Sequence, residues 1–392
     1  MKIAIIGAGI AGLATASFLA RLGFETEIFE NFTTAKAIGA GLLLQPPGQF
    51  VLQELGVLDT LRKTSPKIQA LEAINAQNKT VLDVKYTTLG DSTSHGLGVE
   101  RSTLHSLLLN KANEYNIPIH LKHRVQSLEQ SANNVTICFT HQPPQEFDFV
   151  IVCSGSKSAW INNKQFGRTA NPFPWSCLWT TIDLPRNLTA DMLHQRVDGA
   201  HLMAGVLPIS CEPNQTFKAA FYWSIHSKKL NPCSWDLEKI ILNPLRALWP
   251  DAFNQVSQVS QNSFAHAPYY NVWCKQPISG RVAIIGDAAH GTSPQLGQGV
   301  TSALLDAKAI SKAIHRNSRD PEELRKEYVQ QRIAHQRYIR YCSILLTPFF
   351  QHNYKAYGWL RDIFMPASLG ISPISKISAK TLASQYFLNT PL

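Results

Sequence analysis

The amino-acid sequence predicts an α/β fold: a doubly wound parallel sheet, interrupted by an antiparallel-sheet domain and followed by a helical segment. Three observations predict it. A strand-like run, a glycine turn and a helix follow one another at residues 2–22. Apolar runs at 148–153 and 280–285 also end in glycine turns. Between 160 and 273, where seven of the eight tryptophans lie, strands follow strands instead of helices. Alternating strands and helices are typical of a parallel sheet, and consecutive strands of an antiparallel one.

The first motif occupies residues 2–30. A run of strand formers leads into the sequence GAGIAG, a helix follows to residue 22, and a second strand ends at Glu30. Gly7 permits the tight turn, Gly9 lets the backbone approach a pyrophosphate, and Gly12 allows the helix to pack closely on the strand. The helix N-terminus offers unpaired N–H groups to phosphates, and Glu30 can accept hydrogen bonds from a ribose. The motif therefore predicts dinucleotide binding.

Length and composition predict a globular protein with two compact units. Of the 392 residues, 44% are hydrophobic and 16% are charged. There is no apolar run long enough to cross a bilayer, and a strand begins at residue 2, so we expect a cytoplasmic protein without a signal peptide. Seven scattered cysteines without a CxxC pair indicate reduced thiols and no metal site.

The net charge of +10 is unevenly distributed. Residues 308–380 hold 13 Lys/Arg against 5 Asp/Glu. No basic-aromatic pattern accompanies this excess, so we expect no nucleic-acid partner. A solvated helix face is the simplest interpretation. An anionic cofactor, an acidic substrate and weak association with a membrane surface stay open as alternatives.

Further elements follow in chain order. Gly41 and Leu42 belong to a glycine-flanked apolar run (39–46), which indicates backbone close to a flat ligand or an ordinary glycine-hinged strand. A helix is predicted over 47–62, and short strands over 70–99 with a turn at Gly90. Arg101 stands just before a helix, where it can reach a phosphate or form a surface salt bridge. Strand-like runs lie at 119–121, 124–128 and 135–139.

The region from about 167 to 275 predicts a second domain inserted into the first. Strands are predicted at 175–179, 201–206 and 218–223, and a helix at 234–249. Because ligand sites favour domain interfaces, we expect an apolar, aromatic substrate pocket lined by His201, Met203, Tyr222 and Trp223. Neighbours on a strand point to opposite faces, so only one of Tyr222 and Trp223 should face this pocket.

The first domain resumes with a buried strand that ends in GDAAH at 286–290, followed by P-x-x-G-x-G at 294–299 and a helix over 301–314. The next helix has Asp320 as its N-cap. The tail is predicted to form short helices separated by Pro348, Pro366 and Pro373.

The chain resembles the single-component FAD-dependent aromatic monooxygenases, the para-hydroxybenzoate hydroxylase-like family, in three stretches taken together. These are GAGIAG with Glu30, the segment 148–158, and GDAAH followed by P-x-x-G-x-G. The likeness spans almost the whole chain, and the tail at 346–362 resembles that of bacterial ubiquinone-type hydroxylases. The resemblance implies FAD as cofactor, NAD(P)H as reductant, and hydroxylation of an aromatic or activated cyclic substrate by O2 through a flavin C4a-hydroperoxide.

The resemblance also implies roles for individual residues. The first glycines hold the pyrophosphate, Glu30 the ribose, and Val125 the adenine. Arg101 and Asp287 contact the phosphate and ribityl region, and the residues from Pro294 onward surround the ring, with the following helix dipole directed at it. No side chain is predicted to be catalytic, although Pro294 lies beside the flavin. The implied cofactor residues are Gly7, Gly9, Ala11, Gly12, Glu30, Gly41, Leu42, Arg101, Val125, Asp287, Pro294, Gly297, Gln298, Gly299 and Val300.

Two positions depart from the family pattern. Ser154-Gly155 replaces an Asp-Gly pair, and Thr301 stands where the family often has Asn. The Asp is implicated in handling both FAD and NAD(P)H, so its loss predicts flavin reduction that is slow or confined to the substrate-bound state.

The predicted domains are an FAD domain (1–72, 96–166 and 276–345), a substrate domain (73–95 and 167–275) and a C-terminal helical segment (346–392). The main functional alternative is an FAD-dependent oxidase or dehydrogenase on the same fold. A plain NAD-dependent dehydrogenase is disfavoured because such an enzyme has no use for a second glycine-Asp motif like GDAAH. A non-catalytic flavin-fold protein also stays open.

Overall fold

The computed structural model describes residues 1–35, 41–91, 93–158, 160–161, 163–212, 216–231 and 234–388. Gly39, Cys233 and the last four residues of the predicted C-terminal segment lie outside these ranges. None of the helices it describes is long and apolar enough to cross a membrane.

Strands and helices alternate in the first half of the chain and again after residue 274. The strands are β1 Lys2–Ile6, β2 Glu25–Phe29, β3 Gly41–Leu44, β4 Lys67–Ile68, β5 Ala70–Asn75, β6 Thr80–Lys85, β7 Gly96–Glu100, β8 Ile119–His120, β9 Val125–Gln130, β10 Val135–Phe139, β11 Gln145–Phe147, β12 Phe149–Val152, β13 Arg168–Asp183, β14 Met192–Asp198, β15 Leu202–Cys211, β16 Phe217–His226, β17 Ala265–Cys274, β18 Ile278–Ser279 and β19 Val282–Ile284. The α-helices are α1 Ile10–Arg21, α2 Pro46–Glu54, α3 Leu58–Arg62, α4 Arg101–Glu114, α5 Asn163–Phe166, α6 Asn243–Leu248, α7 Pro250–Val256, α8 Asp287–His290, α9 Gly299–Asn317, α10 Pro321–Phe350, α11 Lys355–Leu369 and α12 Ser372–Leu382.

A six-stranded sheet forms the base of the molecule, in the order β18-β19-β12-β1-β2-β8. Strands β19, β12, β1, β2 and β8 run parallel, and the edge strand β18 is antiparallel to β19. Strands β1 and β12 are almost continuously apolar because helices or a second sheet cover both faces, as a parallel sheet requires. All parallel strands therefore end at one edge, where ligands bind in this architecture. The predicted α/β fold is confirmed.

A seven-stranded sheet stands over that edge, in the order β17-β13-β16-β15-β14-β5-β6. Its strands are antiparallel except for the pairing of β14 with β5. One face packs on helices α6 and α7 through a core that includes Phe221, Trp223 and Trp249. Because side chains alternate along a strand, the other face is free to line a cavity.

Two glycines allow close backbone approach around β1: Gly7 beside the end of β12, and Gly12 where α1 packs on β1. Gly7 has φ +107°, in the region that favours glycine, and a Cβ there would lie 2.8 Å from the Cys153 carbonyl oxygen. A Cβ on Gly12 would lie 1.9 Å from the Gly7 carbonyl oxygen. Gly9 differs, because nothing lies within 4 Å of its Cβ position.

Several predicted helices have different bounds in the structure. The helix expected over 47–62 is split into α2 and α3 at Gly56, whose φ of +73° ends a helix. The helix expected over 234–249 begins with a π-helical turn at Glu238–Leu242. Pro348 and Pro366 lie inside α10 and α11 rather than between helices. Each falls in the last turn, so the hydrogen bond that proline removes and the clash that it makes with the preceding turn affect only the end of the helix.

The C-terminal helices are joined tightly to the body of the protein. Asp320 caps α10, accepting hydrogen bonds from the backbone N–H groups of Glu322 and Glu323 at 3.0 and 3.1 Å. Arg361 on α11 is buried and donates from Nη1 to the carbonyl oxygens of Gly199 (2.7 Å) and Phe349 (3.0 Å). The segment is therefore part of the folded unit.

Candidate active site

A cavity of about 1390 Å³ lies between the carboxyl edge of the parallel sheet and the seven-stranded sheet. It exceeds the roughly 300–1,000 Å³ of a typical small-ligand pocket, so it has room for a dinucleotide and a second molecule. Residues of both sheets and of α10 line it.

The end of the cavity beside β1 and β2 has the geometry of a nucleotide site. Glu30 directly follows β2, and its carboxylate accepts hydrogen bonds from the backbone N–H groups of Ala8 (2.8 Å) and Phe32 (3.0 Å). Gly9 is the N-cap of α1 and makes no side-chain capping bond, so the first turn keeps N–H groups for an anion. Val125 at the start of β9 also lines the cavity.

Arg101 lies deeper in the cavity, at the first residue of α4. Its Nε is buried and has no hydrogen-bond partner in the described ranges. Burial lowers the pKa of the guanidinium, although the nearby Asp287 carboxylate opposes this shift. A buried cationic group with an open donor calls for an anionic ligand such as a phosphate.

Glycine-rich backbone surrounds the middle of the cavity. Gly41 and Leu42 of β3 form one wall, and the residues from Pro294 to Val300 form the other. Gly297 has φ +62°, and Gln298 is anchored by hydrogen bonds from Nε2 to the carbonyl oxygens of Leu382 (2.8 Å) and Thr381 (3.3 Å). Helix α9 begins at Gly299 without a side-chain cap, so its positive end faces the cavity.

These observations fit FAD. The open space at Gly9 suits the pyrophosphate, the unpaired Nε of Arg101 suits a phosphate oxygen, and the two backbone walls suit a flat ring. Thirteen of the fifteen implied cofactor residues line the cavity. The exceptions are Ala11, whose Cβ faces Gly286, and Gly12, which packs against β1.

The far end of the cavity, here termed the sheet-side compartment, is lined by one face of the seven-stranded sheet. Its side chains follow the alternation expected of strands, two residues apart on β13, β14 and β16. They are Leu71, Cys177, Trp179, Leu193, Gln195, Met203, Leu207, Tyr222, Ser224 and Tyr269, with Gln351 from the end of α10.

One cross-strand row organises this compartment. Gln195, Gly205, Tyr222 and Trp179 are direct neighbours on four adjacent strands. The missing side chain of Gly205 leaves the space that the Tyr222 ring occupies, since a Cβ there would lie 2.2 Å from that ring. Tyr222 thereby accepts a hydrogen bond from Gln195 Nε2 and packs on Trp179 with ring centroids 5.4 Å apart.

The polar groups of the sheet-side compartment are neutral. Burial raises the pKa values of Tyr222 and Tyr269 above their ordinary value and that of Cys177 to about 12. Gln351 Nε2 donates to Ser224 Oγ at 2.7 Å, and its Oε1 is buried without a partner among the described residues. Gln351 therefore offers one free acceptor to a ligand.

Two predicted pocket residues do not line the cavity. Trp223 is 2% exposed and packs in the core on the opposite face of the sheet, because it alternates with Tyr222. His201 lies in the turn before β15, where its Nε2 is 3.9 Å from Asp198 Oδ2 and its side chain is 44% exposed. Met203 and Tyr222 do line the cavity. Sequence reasoning overlooked Gln195, which alternation along β14 indicates, and Gln351, which no local pattern marks.

The turn after β12 closes on hydroxyl groups. Ser154 Oγ and Ser158 Oγ are 2.6 Å apart, and Ser158 Oγ also lies 3.0 Å from the carbonyl oxygens of Ser154 and Gly155. Gly155 has φ +76°. Ser154 lines the cavity, but its hydroxyl is engaged within the turn.

A buried ionic network supports the GDAAH turn from behind. Asp306 accepts hydrogen bonds from His290 Nε2 (2.5 Å), Arg332 Nε (2.7 Å), Gln336 Nε2 (2.9 Å) and the Gly286 N–H (3.0 Å). Burial raises the pKa of Asp306, but the attraction of His290 and Arg332 outweighs burial and leaves the pKa below its ordinary value. His290, which invites a catalytic interpretation, is thus held by Asp306. The sequence did not mark this network, since its members lie on separate elements.

Comparisons with known proteins agree with this geometry. The sequence profile of the FAD binding domain family matches residues 1–339. The FAD-dependent urate hydroxylase of Klebsiella pneumoniae is 24% identical over 344 residues, which cover 85% of this chain and 86% of that protein. The 3-amino-4-hydroxybenzoate 2-monooxygenase of Streptomyces cremeus is 25% identical over 346 residues, covering 85% and 83%. The crystal structure of Klebsiella pneumoniae HpxO complexed with FAD and uric acid has a TM-score of 0.82 at 20% identity, covering 98% and 97%.

Proposed function

This chain belongs to the FAD binding domain family, and on that premise we propose that it is a monooxygenase that hydroxylates an uncharged aromatic compound. The resemblance to FAD-dependent aromatic monooxygenases is confirmed, and relatives over most of the chain carry out such reactions on urate and an aminohydroxybenzoate. NAD(P)H is the proposed reductant and O2 the proposed oxygen source. The oxygen-transfer route implied by the sequence stays a prediction.

One observation carries the substrate class: the sheet-side compartment is aromatic and apolar, and its hydrogen-bonding groups are neutral. None of the eleven side chains named above as lining it is Lys, Arg, Asp or Glu, although Arg340 lines the same cavity from α10. Burying an unpaired carboxylate there would cost several kcal/mol. A neutral ring bearing a hydroxyl group fits better, because its O–H can donate to the free Gln351 Oε1.

The chain's own residues bind and orient the two molecules. Glu30, Gly9 and Arg101 would hold the adenosine and phosphate parts of FAD, and the walls at Gly41 and Gly297 would hold its ring. When bound, FAD supplies the redox chemistry and the activation of O2. Trp179 and Tyr222 would position the substrate ring. The N-terminus of α9 would stabilise negative charge near the flavin.

A paired substrate screen tests the proposal. NAD(P)H oxidation is measured with neutral phenols and with the same phenols carrying a carboxylate. We expect stimulation by the neutral member of each pair. Gln351→Leu should raise KM for phenols by about ten- to a hundredfold. It removes the only acceptor proposed for the substrate hydroxyl, and the O–H of the bound phenol is then buried without a hydrogen-bond partner.

The control is Gln351→Glu, which restores an acceptor but adds a charge. It should not recover binding of neutral phenols at a pH where the carboxylate is ionised. Stimulation mainly by carboxylated substrates would contradict the proposed substrate class, and unchanged KM in Gln351→Leu would remove Gln351 from the site.

A further inference from the structure

Large apolar side chains are exposed on the C-terminal helices. Of the fourteen such side chains exposed among the described residues, ten lie on α10–α12 or beside them. Tyr341 is 67% exposed, Leu345 69%, and Trp359 and Phe364 63% each. So many exposed large apolar side chains in one segment are uncommon on a soluble protein and indicate an interaction surface.

Each helix presents these residues as one outward stripe. On α10, Arg337, Tyr341, Ile344 and Leu345 are spaced by three or four residues, while Arg332, Ile339 and Ser343 are buried on the other side. On α11, Lys355, Trp359 and Ile363 form the exposed stripe, and Gly358 packs against Gly199.

Helix α12 repeats the arrangement. Lys376, Ile377 and Lys380 are exposed, whereas Ala379 and Leu382 are buried. We term the combined surface the C-terminal face; it comprises Arg337, Arg340, Tyr341, Ile344, Leu345, Lys355, Trp359, Ile363, Phe364, Ile371, Lys376, Ile377 and Lys380.

The charged residues of this face are almost all positive. Residues 337–388 contain six Lys/Arg and one acidic residue, Asp362. Asp362 is already paired with Arg361, Nη2 to Oδ1 2.6 Å, and accepts a hydrogen bond from Asn75. No described carboxylate lies within ion-pair distance of Lys355, Lys376 or Lys380. The apolar stripes are therefore bordered by unneutralised cations.

We propose that the C-terminal face docks on an anionic membrane surface. Aromatic and aliphatic side chains with surrounding Lys and Arg are the composition of helices that lie in the lipid interface. Anionic headgroups complement the cations. A second copy of the chain is a poorer occupant, because a symmetric contact would bring the same unpaired cations together.

The face adjoins the active-site cavity. Arg340 lines the cavity and also a surface cleft of about 320 Å³ with Trp273, Lys275, Arg337 and Tyr341. Its guanidinium lies 4.9 Å from the Trp273 ring centroid. One helix, α10, thus contributes Ile339 and Gln336 to the cavity and its exposed stripe to the docking surface. An apolar, uncharged substrate dissolved in the lipid could therefore enter the cavity beside the docking surface. This route of substrate entry rests on the proposed function.

Vesicle co-sedimentation of the FAD-loaded full chain tests the docking. We expect binding to equimolar phosphatidylglycerol–phosphatidylcholine vesicles, little binding to pure phosphatidylcholine, and weakening by salt. The double variant Trp359→Glu/Phe364→Glu should bind at least about tenfold more weakly. Lys376→Glu/Lys380→Glu, which leaves every apolar side chain in place, should also weaken binding. Tyr115→Glu, an exposed aromatic far from this segment in sequence, is the matched control and should bind like the parent.

Several results overturn the inference. These are absence of binding to anionic vesicles, binding that neither double variant changes, and a dimer in light scattering that Trp359→Glu/Phe364→Glu converts to a monomer. Turnover of a water-soluble phenol is measured on the same variants and should be unchanged. Lost docking with retained turnover therefore leaves the proposed function standing, whereas absent turnover in the parent counts against that function alone.

Discussion

At the scale of single residues, Glu30 is the side chain that we propose as the main anchor of the FAD ribose. Its carboxylate lines the cavity and is held in place by the N–H groups of Ala8 and Phe32. Glu30→Gln keeps the shape and removes the charge, so FAD binding should weaken by roughly 1.5–3 kcal/mol, the usual worth of a charge-assisted hydrogen bond. Fluorescence titration with FAD measures this, with Glu25→Gln, at an exposed position at the start of β2, as the control. Equal affinity in Glu30→Gln would show that the carboxylate does not hold the ribose.

Asp306 makes a second prediction, on stability and pH. Its folded pKa lies below the ordinary 3.8, so its contribution is fully present above that value and is lost as pH falls through the folded pKa. Asp306→Asn leaves Arg332 without its buried anionic partner and should cost about 3–5 kcal/mol at neutral pH. Urea unfolding of the FAD-loaded protein measures the cost, which should shrink below about pH 4.

The exposed acid Asp59 is the control for this variant. Its carboxylate is 3.8 Å from Arg62 Nη1 and largely solvated, so Asp59→Asn should change stability by less than about 0.5 kcal/mol. A cost for Asp306→Asn that grows on acidification would mean that the ionised carboxylate does not stabilise the fold.

Ser154 makes the third prediction at this scale. Its hydroxyl is engaged with Ser158 inside the turn, so it offers no fixed negative charge to the cavity. We expect flavin reduction by NAD(P)H to be slow, or confined to the substrate-bound state, and Ser154→Asp to accelerate it by about ten- to a hundredfold. Stopped-flow flavin absorbance measures it, and Ser154→Ala separates loss of the hydroxyl from gain of the carboxylate. Fast reduction of the parent without substrate, unchanged in Ser154→Asp, would show that this position is irrelevant to NAD(P)H.

At the scale of elements, two glycines of the β1–α1 unit distinguish helix packing from cofactor binding. A methyl group on Gly12 would collide with the Gly7 carbonyl oxygen, whereas one on Gly9 would enter open space. Gly12→Ala should therefore destabilise the fold by more than the roughly 1–3 kcal/mol of ordinary overpacking, because backbone must move. Gly9→Ala should keep stability within about 1 kcal/mol yet weaken FAD binding. Thermal unfolding and FAD titration distinguish them, and unimpaired FAD binding by Gly9→Ala would place the pyrophosphate elsewhere.

The elements also show where sequence reasoning succeeds. The glycine motifs predicted β1, α1 and α9 because their spacing is local and each glycine has a steric reason. Sequence reasoning missed the division at Gly56 and the positions of Pro348 and Pro366 within helices. Glycine and proline indicate that a helix is interrupted nearby, but they do not show at which residue the helix ends.

At the scale of the whole molecule, most residues proposed to hold FAD could be assigned to the cavity from the sequence, whereas most residues that line the sheet-side compartment could not. The former lie in contiguous motifs at the ends of strands. The latter come together only through cross-strand register, as with Gln195, Gly205 and Tyr222, or through a distant helix, as with Gln351. Alternation correctly separated Tyr222 from Trp223 but did not say which one faces the cavity. Domain boundaries stay a prediction.

The central claim is that one oxygen atom of O2 is inserted into a neutral aromatic substrate, and isotope labelling tests it most directly. The FAD-loaded protein is incubated with NAD(P)H, a phenol selected by the screen, and O2 labelled with the heavy oxygen isotope, and the product is analysed by mass spectrometry. We predict a hydroxylated product that carries one labelled atom, with the second labelled atom in water. An oxidised product without label, accompanied by hydrogen peroxide, would contradict the monooxygenase and indicate the oxidase or dehydrogenase alternative.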